Sequence, residues 1–341
     1  MSTPAVLVQL DSTPSPDGPR VDAVRPVTAE LITLGRTLGH VDVFTMGSPS
    51  VEALAALGAL GVRTVHQAQL PTSLPVDAHR TTNSIAAIAV TVAQRIHADV
   101  LLCPTGFAAK EIAAVAAARL GAGLVTDATS LTWAGGEGDG KKVLRATKHS
   151  FGGAWNGTVD IITDPAVVTV ASGAVTVEPA ATPTHPEVEA VIVDPPAPKV
   201  TVLSREVKPR ASDRPSLEEA AAVVAGGRGT GGDFTDVYAL ADALDAAVGA
   251  TRDIVHDGHF DRFIGQTGVT IAPALYVAAG ISGAPHHVAG IQGAGHIISI
   301  VNDPEAPIVE LSNLAVLGDV AAVLPATVAA VTEAKKAAGS A

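Results

Sequence analysis

The sequence predicts an α/β protein built from two doubly wound, mostly parallel-sheet domains. Three observations carry this. The chain has 341 residues, more than one ordinary hydrophobic core organises. Hydrophobic residues make up 47% and aromatics only 3%, so the core is Ala, Val, Leu and Ile, which suits strands buried on both faces beneath helices. Strand-like and helix-like segments alternate along both halves of the chain.

In the first half, "AVLVQL" (5–10) reads as a strand and "TAELITLGRTLG" (28–39) as a helix with Thr28 as N-cap. "VDVFTM" (41–46) is a strand, and "SVEALAAL" (50–57) is a short helix. A longer helix spans 79–98, followed by the strand "DVLLCP" (99–104), a helix at 108–121 and the strand "GLVTDA" (123–128). These are four β–α repeats, the pattern of a parallel sheet with helices on both faces.

From Leu131 the texture changes. "KKVLRATKHS", "GTVDIITD", "AVVTVAS" and "AVTVEP" read as short strands of an appended antiparallel layer on the same domain. Residues 179–215 are rich in proline but contain two strand-like pieces, "EAVIVD" and "KVTVLS". The boundary falls near 208–215, where Pro, Arg and Ser replace β-branched residues. This divides the chain into an N-terminal domain at 1–208 and a C-terminal domain at 209–341. The second domain opens with a buried strand ending in "VVAGG", then a glycine turn and the helix "DFTDVYALADALDAA". "AVGATRD" is a further strand and turn. "IGQTG", "LYVAAGISG", "IISIVND" and "PIVELS" read as strand ends, and "GDVAAVLPATVAAVTEAKK" as a closing helix kinked or restarted near Pro325.

The charge balance excludes several functions. Formal net charge is −12, and no basic cluster exceeds Lys141–Lys142, which argues against phosphate-driven nucleic acid binding. A single cysteine, Cys103, allows no internal disulfide and reads as a small buried hydrophobe. No secretory signal is visible at the N-terminus, so a cytoplasmic protein is expected. The run Phe263–Asn302 contains no Lys, Arg, Asp or Glu over 40 residues. Pro273, Gly280, Gly283, Pro285 and the His286–His287 pair interrupt it too often for a membrane span.

That neutral run belongs instead to a binding crevice. The strands of the second domain end in "GGRGTGG", "GATR", "GQTG", "GISG" and "VNDPEAP". Ligands of open parallel sheets sit at the carboxyl ends of the strands, and glycine lets backbone N–H groups approach a phosphate without lysine. "GGRGTGG" contains G-x-G-x-x-G (Gly227, Gly229, Gly232), a short pattern in a glycine-rich chain that also describes a simple turn. Arg252, after the next strand, suits a 2′-phosphate, as in a site for NADP(H), or negative charge on another ring system. Adjacent His286 and His287 face different sides and cannot chelate together. "HDGH" (His256, His259) is a surface-turn candidate for metal, with little to support it, and no metal site is expected. Ser282 lacks a nucleophile elbow and suits a hydroxyl contact or an N-cap; Asp319 suits a helix cap or a ligand contact. Hydroxyls, amides, histidine and one or two arginines, without a paired acid and base, make a site for a cofactor with its own reactivity.

Taken in order, "VVAGGRG", "ALADALDAAVGATRD", "GQTGVTIAPALYVAAGISGA" and "NDPEAPIVEL…GD" resemble the alpha subunit of electron transfer flavoprotein. "KEIAAVAAARLGAGLVTDATSL" and "FGGAWNGTVDI" extend the resemblance, more loosely, through the first half. It implies a Rossmann-like C-terminal domain binding FAD, with no catalytic residues of its own. By motif position, Arg228, Thr251 and Arg252 would contact FAD, with the Arg252 guanidinium near the flavin ring. Ile264, Gly265, Gln266 and Thr267 would line that ring, the Thr267 hydroxyl toward flavin N5. Ser282, Gly283, Ala284, Pro285, His286 and His287 would wrap flavin and pyrophosphate, with His287 near the carbonyl at C2. Asn302 and Asp319 would serve the adenosine end.

The resemblance also implies a beta subunit as partner. Electrons would come from a flavin-dependent dehydrogenase, such as the acyl-CoA dehydrogenase type, and pass as an anionic semiquinone to an acceptor such as a quinone oxidoreductase. A cation beside the pyrimidine edge would stabilise the added negative charge in a dry site. Two readings from other classes stand beside this one: an NADP(H)-binding oxidoreductase or transhydrogenase module, and an adenine-nucleotide sensor. The chain also departs from the family pattern. Pro285 and His286 replace an aliphatic residue and Gln, and Val301–Asn302 stand where the family has Asn-Lys.

Overall fold

The computed structural model describes residues 3–12, 19–71, 81–135, 142–150, 155–197, 200, 202–204, 214–256, 260 and 262–338. The chain divides into two units, Met1–Ser150 with Asn156–Val207, and Phe151–Trp155 with Lys208–Ala341.

The first unit is organised by a nine-stranded sheet. Its strands are β1 (Ala5–Gln9), β3 (His40–Thr45), β5 (Val62–Gln69), β6 (Val100–Pro104), β7 (Gly123–Gly135), β8 (Lys142–Ser150), β9 (Trp155–Ile161), β10 (Ala166–Val170) and β11 (Glu187–Ile192). Two short strands, β2 (Arg20–Val21) and β4 (Ser48–Pro49), pair apart from it. The order is β11-β5-β3-β1-β6-β10-β7-β8-β9. Pairing is parallel from β11 through β7, and β8 joins β7 antiparallel.

Helices α1 (Pro26–Leu38) and α2 (Val51–Ala59) pack their aliphatic side chains on one face; α3 (Thr82–Arg95) and α4 (Phe107–Leu120) cover the other. The central strands β1, β6 and β10 are therefore buried at every position. Each fully buried Val or Leu there contributes about 1.5–3 kcal/mol relative to exposure. Cys103 is fully buried in β6, where desolvation lifts its thiol to about 12.

Several local expectations are corrected. Helix α1 begins at Pro26, not Thr28: proline at the first turn costs no hydrogen bond and pre-sets φ, so Arg25 is the N-cap and Thr28 is buried within the helix. Ser50 does cap α2, accepting from Ala53 N at 3.1 Å. Strand β5, not anticipated from the sequence, fills the gap after α2. "AVVTVAS" does not join an antiparallel layer: it forms β10, inserted parallel between β6 and β7. "AVTVEP" is not a strand. "EAVIVD" becomes edge strand β11, whereas "KVTVLS" lies partly outside the described residues and its described part is not strand.

The second unit holds a five-stranded, wholly parallel sheet. Its strands are β12 (Ala222–Gly226), β13 (Ala247–Ala250), β14 (Leu275–Ala279), β15 (His296–Val301) and β16 (Leu314–Leu317), in the order β13-β12-β14-β15-β16. One face is covered by α5 (Thr235–Leu244), α6 (Arg252–His256) and α9 (Val320–Ala338). The other is covered by the segment through Ile264, Val269 and Ile271, with α7 (Pro285–Val288) leading to Ile291 and α8 (Pro307–Leu311) supplying Ile308.

Two expected strand ends are not strands. "IGQTG" is a turn closed by a bridge between Ile264 and Val269. "PIVELS" is α8, opened by Pro307 in its first turn, and the unanticipated β16 follows it. Pro325 lies inside one assigned helix, α9. Among the described residues no helix is long and apolar enough to cross a membrane.

Candidate functional site

The strands of the second sheet end along one edge, and their turns are stitched together sideways. Gly227 N donates to the Ala279 carbonyl at 2.9 Å, Gly229 N to the Gly280 carbonyl at 3.0 Å, and Gly280 N to the Ile300 carbonyl at 2.8 Å. On the other side, Thr251 N donates to the Gly226 carbonyl at 3.1 Å and Ile264 N to the Ala250 carbonyl at 3.0 Å. The contact between Gly229 and Gly280 explains why both lack a side chain. A Cβ on either would stand 2.6 Å from the other's Cα, and Gly280 also has φ +63°.

A cavity of about 470 Å³ opens along this edge. Arg228 comes from the turn after β12, and Thr251 and Arg252 from the end of β13. Ile264, Gly265 and Thr267 form the opposite wall. Ser282, Ala284, His286 and His287 enter from the turn after β14, and Asn302 from the end of β15. Eleven residues singled out in the sequence therefore share one cavity.

Four do not line it. Gln266 holds the wall from outside, its N–H donating to the His286 carbonyl at 2.8 Å. Gly283 (φ +84°) packs on α8, where a Cβ would meet Ile308 N at 2.5 Å. Pro285 opens α7. Asp319 caps the last helix, accepting from Ala321 N at 3.0 Å.

Other wall residues escaped the sequence reading. Asp253 and Asp303 each follow directly after a residue that it had marked, so the strand-end rule extended by one position finds them. Phe263 opens the neutral run and Ala306 lies within "VNDPEAP", but neither was singled out as a contact. Arg228 Nε and Asp253 Oδ2 are 3.1 Å apart. Arg252 is exposed at the start of α6 and, among the described residues, has no carboxylate partner.

The two histidines differ sharply. His286 is exposed in the cavity wall, and no described residue hydrogen-bonds its ring. His287 is buried, with Nε2 2.8 Å from the Tyr276 hydroxyl and Nδ1 3.1 Å from the Ile264 carbonyl oxygen. Burial pulls the His287 imidazole down to about 4, against the opposing pull of the Ile264 carbonyl, so the ring is neutral at pH 7. Burial also raises the Tyr276 hydroxyl far above the usual phenol range. Among the described residues no group of three His, Cys, Asp or Glu side chains is placed to hold a metal ion. Of the "HDGH" pair, His256 ends α6, and His259 lies outside the described residues.

A parallel sheet with glycine turns at its carboxyl edge, two guanidiniums and three hydroxyl side chains in one cavity defines an α/β unit built for a nucleotide cofactor. Residues 216–292 match the family described as the electron transfer flavoprotein FAD-binding domain, and residues 20–196 match the electron transfer flavoprotein domain. The chain is 37% identical over 311 residues to an electron transfer flavoprotein subunit alpha of Mycobacterium leprae, covering 89% of this chain and 92% of the relative. A Mycobacterium tuberculosis relative with the same description is 39% identical over 310 residues, covering 89% and 92%. One from Syntrophomonas wolfei is 32% identical over 316 residues, covering 89% and 94%. The chain belongs to the electron transfer flavoprotein alpha-subunit family. Its cofactor is FAD, which resolves the choice that Arg252 left open between a flavin and NADP(H).

The cavity's chemistry fits that cofactor. Glycine backbone at 227, 229 and 280 leaves room for close approach, the guanidiniums supply positive charge, and Phe263, Ile264 and Ile281 give apolar walls for a flat ring.

Proposed function

We propose that this chain is the FAD-carrying subunit of a two-chain electron carrier that performs no bond chemistry on a substrate. It pairs with a beta subunit, takes electrons from a flavin-dependent dehydrogenase such as the acyl-CoA dehydrogenase type, and delivers them to an acceptor such as a quinone oxidoreductase. The observation that supports this most is the gathering of Arg252, Thr267, Ser282 and His286 around one cavity.

Bound FAD would supply the redox chemistry. The protein's residues bind it, orient it and set the field around it. Arg252 would place an unpaired cation beside the ring, favouring negative charge there. Thr251, Thr267 and Ser282 would offer hydroxyls to ring and chain heteroatoms, and the glycine turns would offer backbone N–H groups to phosphate. Ile264 and Phe263 would exclude water from the ring face. Asn302, at the end of β15, would meet the adenosine side. Asp319 supports the reading less directly, since its carboxylate caps α9.

The test is to co-express the chain with its beta subunit, purify the pair and record the visible spectrum before and after denaturation. A yellow complex that releases FAD in a 1:1 ratio is expected. A colourless complex that takes up no FAD on reconstitution, but gains fluorescence with NADPH, would overturn the proposal.

A further inference from the structure

The turn that carries Thr267 supports an inference that rests on the FAD reading and deepens it. The wall segment from Phe263 to Val269 folds back on itself. Val269 N donates to the Phe263 carbonyl at 2.8 Å, Gly265 N to the Val269 carbonyl at 3.1 Å and Gly268 N to the Gly265 carbonyl at 3.0 Å. These bonds close the turn, with buried Ile264 and Val269 at its base and exposed Gln266 and Thr267 at its tip.

The residues on either side of the tip are glycines, and the Phe263 ring runs past both. A Cβ on Gly268 would stand 2.1 Å from the Phe263 carbonyl oxygen, and 2.7 and 2.8 Å from the ring atoms Cδ2 and Cε2. A Cβ on Gly265 would stand 3.5 Å from the same two ring atoms. One ring edge thus lies along the backbone of the turn, where other residues would place side chains. A second tie runs from Gln266 N to the His286 carbonyl at 2.8 Å. The Thr267 side chain has no such tie: it lines the cavity, and no described residue hydrogen-bonds its hydroxyl.

We infer that Phe263 is a positioning residue: its ring, set against Gly265 and Gly268, fixes the tip of the turn and with it the place from which the Thr267 hydroxyl meets the flavin. Two glycines beside the tip give its backbone freedom that the bonds at the base restrain only in part. The flat ring edge restrains the rest by contact along its length. Hydrogen bonds weaken steeply as donor and acceptor shift or tilt, so a small drift of Thr267 changes what the flavin ring feels. A shorter aliphatic side chain at 263 leaves the turn facing a gap, whereas tyrosine keeps the ring edge.

The test uses the intact two-subunit complex with threonine methyl groups labelled with carbon-13. The Thr267 signal is assigned by its loss in Thr267→Val. Without FAD, Phe263→Leu should broaden that signal, and Phe263→Tyr should keep it as sharp as in wild type. With FAD bound, Phe263→Leu should move the flavin potential in the same direction as Thr267→Val and by less, and Phe263→Tyr should restore it. Adding Phe263→Leu to Thr267→Val should move the potential no further. A full additional shift in the double variant would show that Phe263 acts independently of Thr267 and would overturn the role. So would an unchanged methyl signal or an unchanged potential in Phe263→Leu, or a wild-type potential in Thr267→Val. Phe263→Met replaces Phe263→Leu in every arm if the latter does not fold. The methyl readout needs no flavin, so failure of the cofactor reading is recognised separately, as a complex that takes up no FAD.

Discussion

Arg228 and Asp253 form an ion pair at 3.1 Å between two turns that line the same cavity. The guanidinium from the glycine turn after β12 is thus held by the carboxylate that follows Arg252. Both side chains are well exposed, 77% and 51%, so the pair itself is worth at most about 1 kcal/mol. Asp253 would compete with a phosphate for this guanidinium, which meets it through Nε. Asp253→Asn removes that competitor along with one repelling negative charge. FAD should then bind more tightly, by up to about fivefold, the factor that ~1 kcal/mol allows. Fluorescence titration of the reconstituted complex measures this. Weaker binding would mean that Asp253 accepts a hydrogen bond from the cofactor itself.

Gly280 joins the two halves of the cavity floor. It has φ +63°, and a Cβ there would lie 2.6 Å from Gly229 Cα and 2.9 Å from Thr230 N. Backbone cannot swing aside as a side chain can, and an L-residue at that φ adds strain. Gly280→Ala should cost more than about 1 kcal/mol of stability, by chemical denaturation, and weaken FAD binding as the turn after β12 is displaced. Gly231 makes a control: φ is also positive, at +64°, but nothing lies within 4 Å of a Cβ, so Gly231→Ala should cost only the conformational strain.

Glu30, on α1 in the first unit, predicts a pH dependence unconnected with the cofactor. Half-burial raises its carboxyl from 4.5 to about 7, while the bond from Gly173 N at 2.8 Å works in the opposite direction. A folded-state value above the unfolded one means that the folded chain holds the extra proton. The resulting stability is complete below about 4.5 and is lost as pH rises through about 7. Glu30→Gln keeps an acceptor for Gly173 but cannot ionise. The difference in melting temperature between variant and wild type should therefore grow in the variant's favour from pH 4.5 to 7 and level off above that. A difference that stays constant across this window would refute the assignment.

How far the sequence foretold this arrangement depends on the range of the information required. The β–α alternation was visible because Val- and Ala-rich strands and amphipathic helices announce themselves within ten residues. The insertion of β10 between β6 and β7 was not, because strand order is set by packing between distant segments, and local periodicity only marks 166–170 as a strand. "PIVELS" shows the familiar ambiguity of a short apolar run: Pro307 favours a helix start as readily as a strand end. In the site, the strand-end rule located the clusters that hold Thr251, Arg252 and Ser282, since glycine clusters mark where a parallel sheet turns, and the family resemblance added Arg228 and Asn302. His286 and His287 both line the cavity, and which of them is buried was not readable, because the buried ring of His287 meets the Tyr276 hydroxyl, which approaches from another element. The cap supplied by Asp319 shows how one carboxylate serves two patterns with the same local signature.

Arg252 carries the most direct prediction about function. It lies in the cavity wall at the first residue of α6, exposed and without a carboxylate partner among the described residues. An unpaired cation beside a ring that gains an electron would favour its singly reduced, negatively charged form over the neutral oxidised one. Arg252→Ala should lower the maximum fraction of one-electron-reduced flavin during stepwise reduction of the complex, read from its visible spectrum. If the guanidinium contributes about 1 kcal/mol, the equilibrium for forming that species falls about fivefold. Arg252→Lys should recover part of the loss, because charge returns without the planar fork. High salt should narrow the gap between wild type and variant, as the residue is exposed in this structure. A yield in Arg252→Ala equal to that of wild type, with FAD still bound, would place the stabilising charge elsewhere, and Arg228 would be the next residue to test.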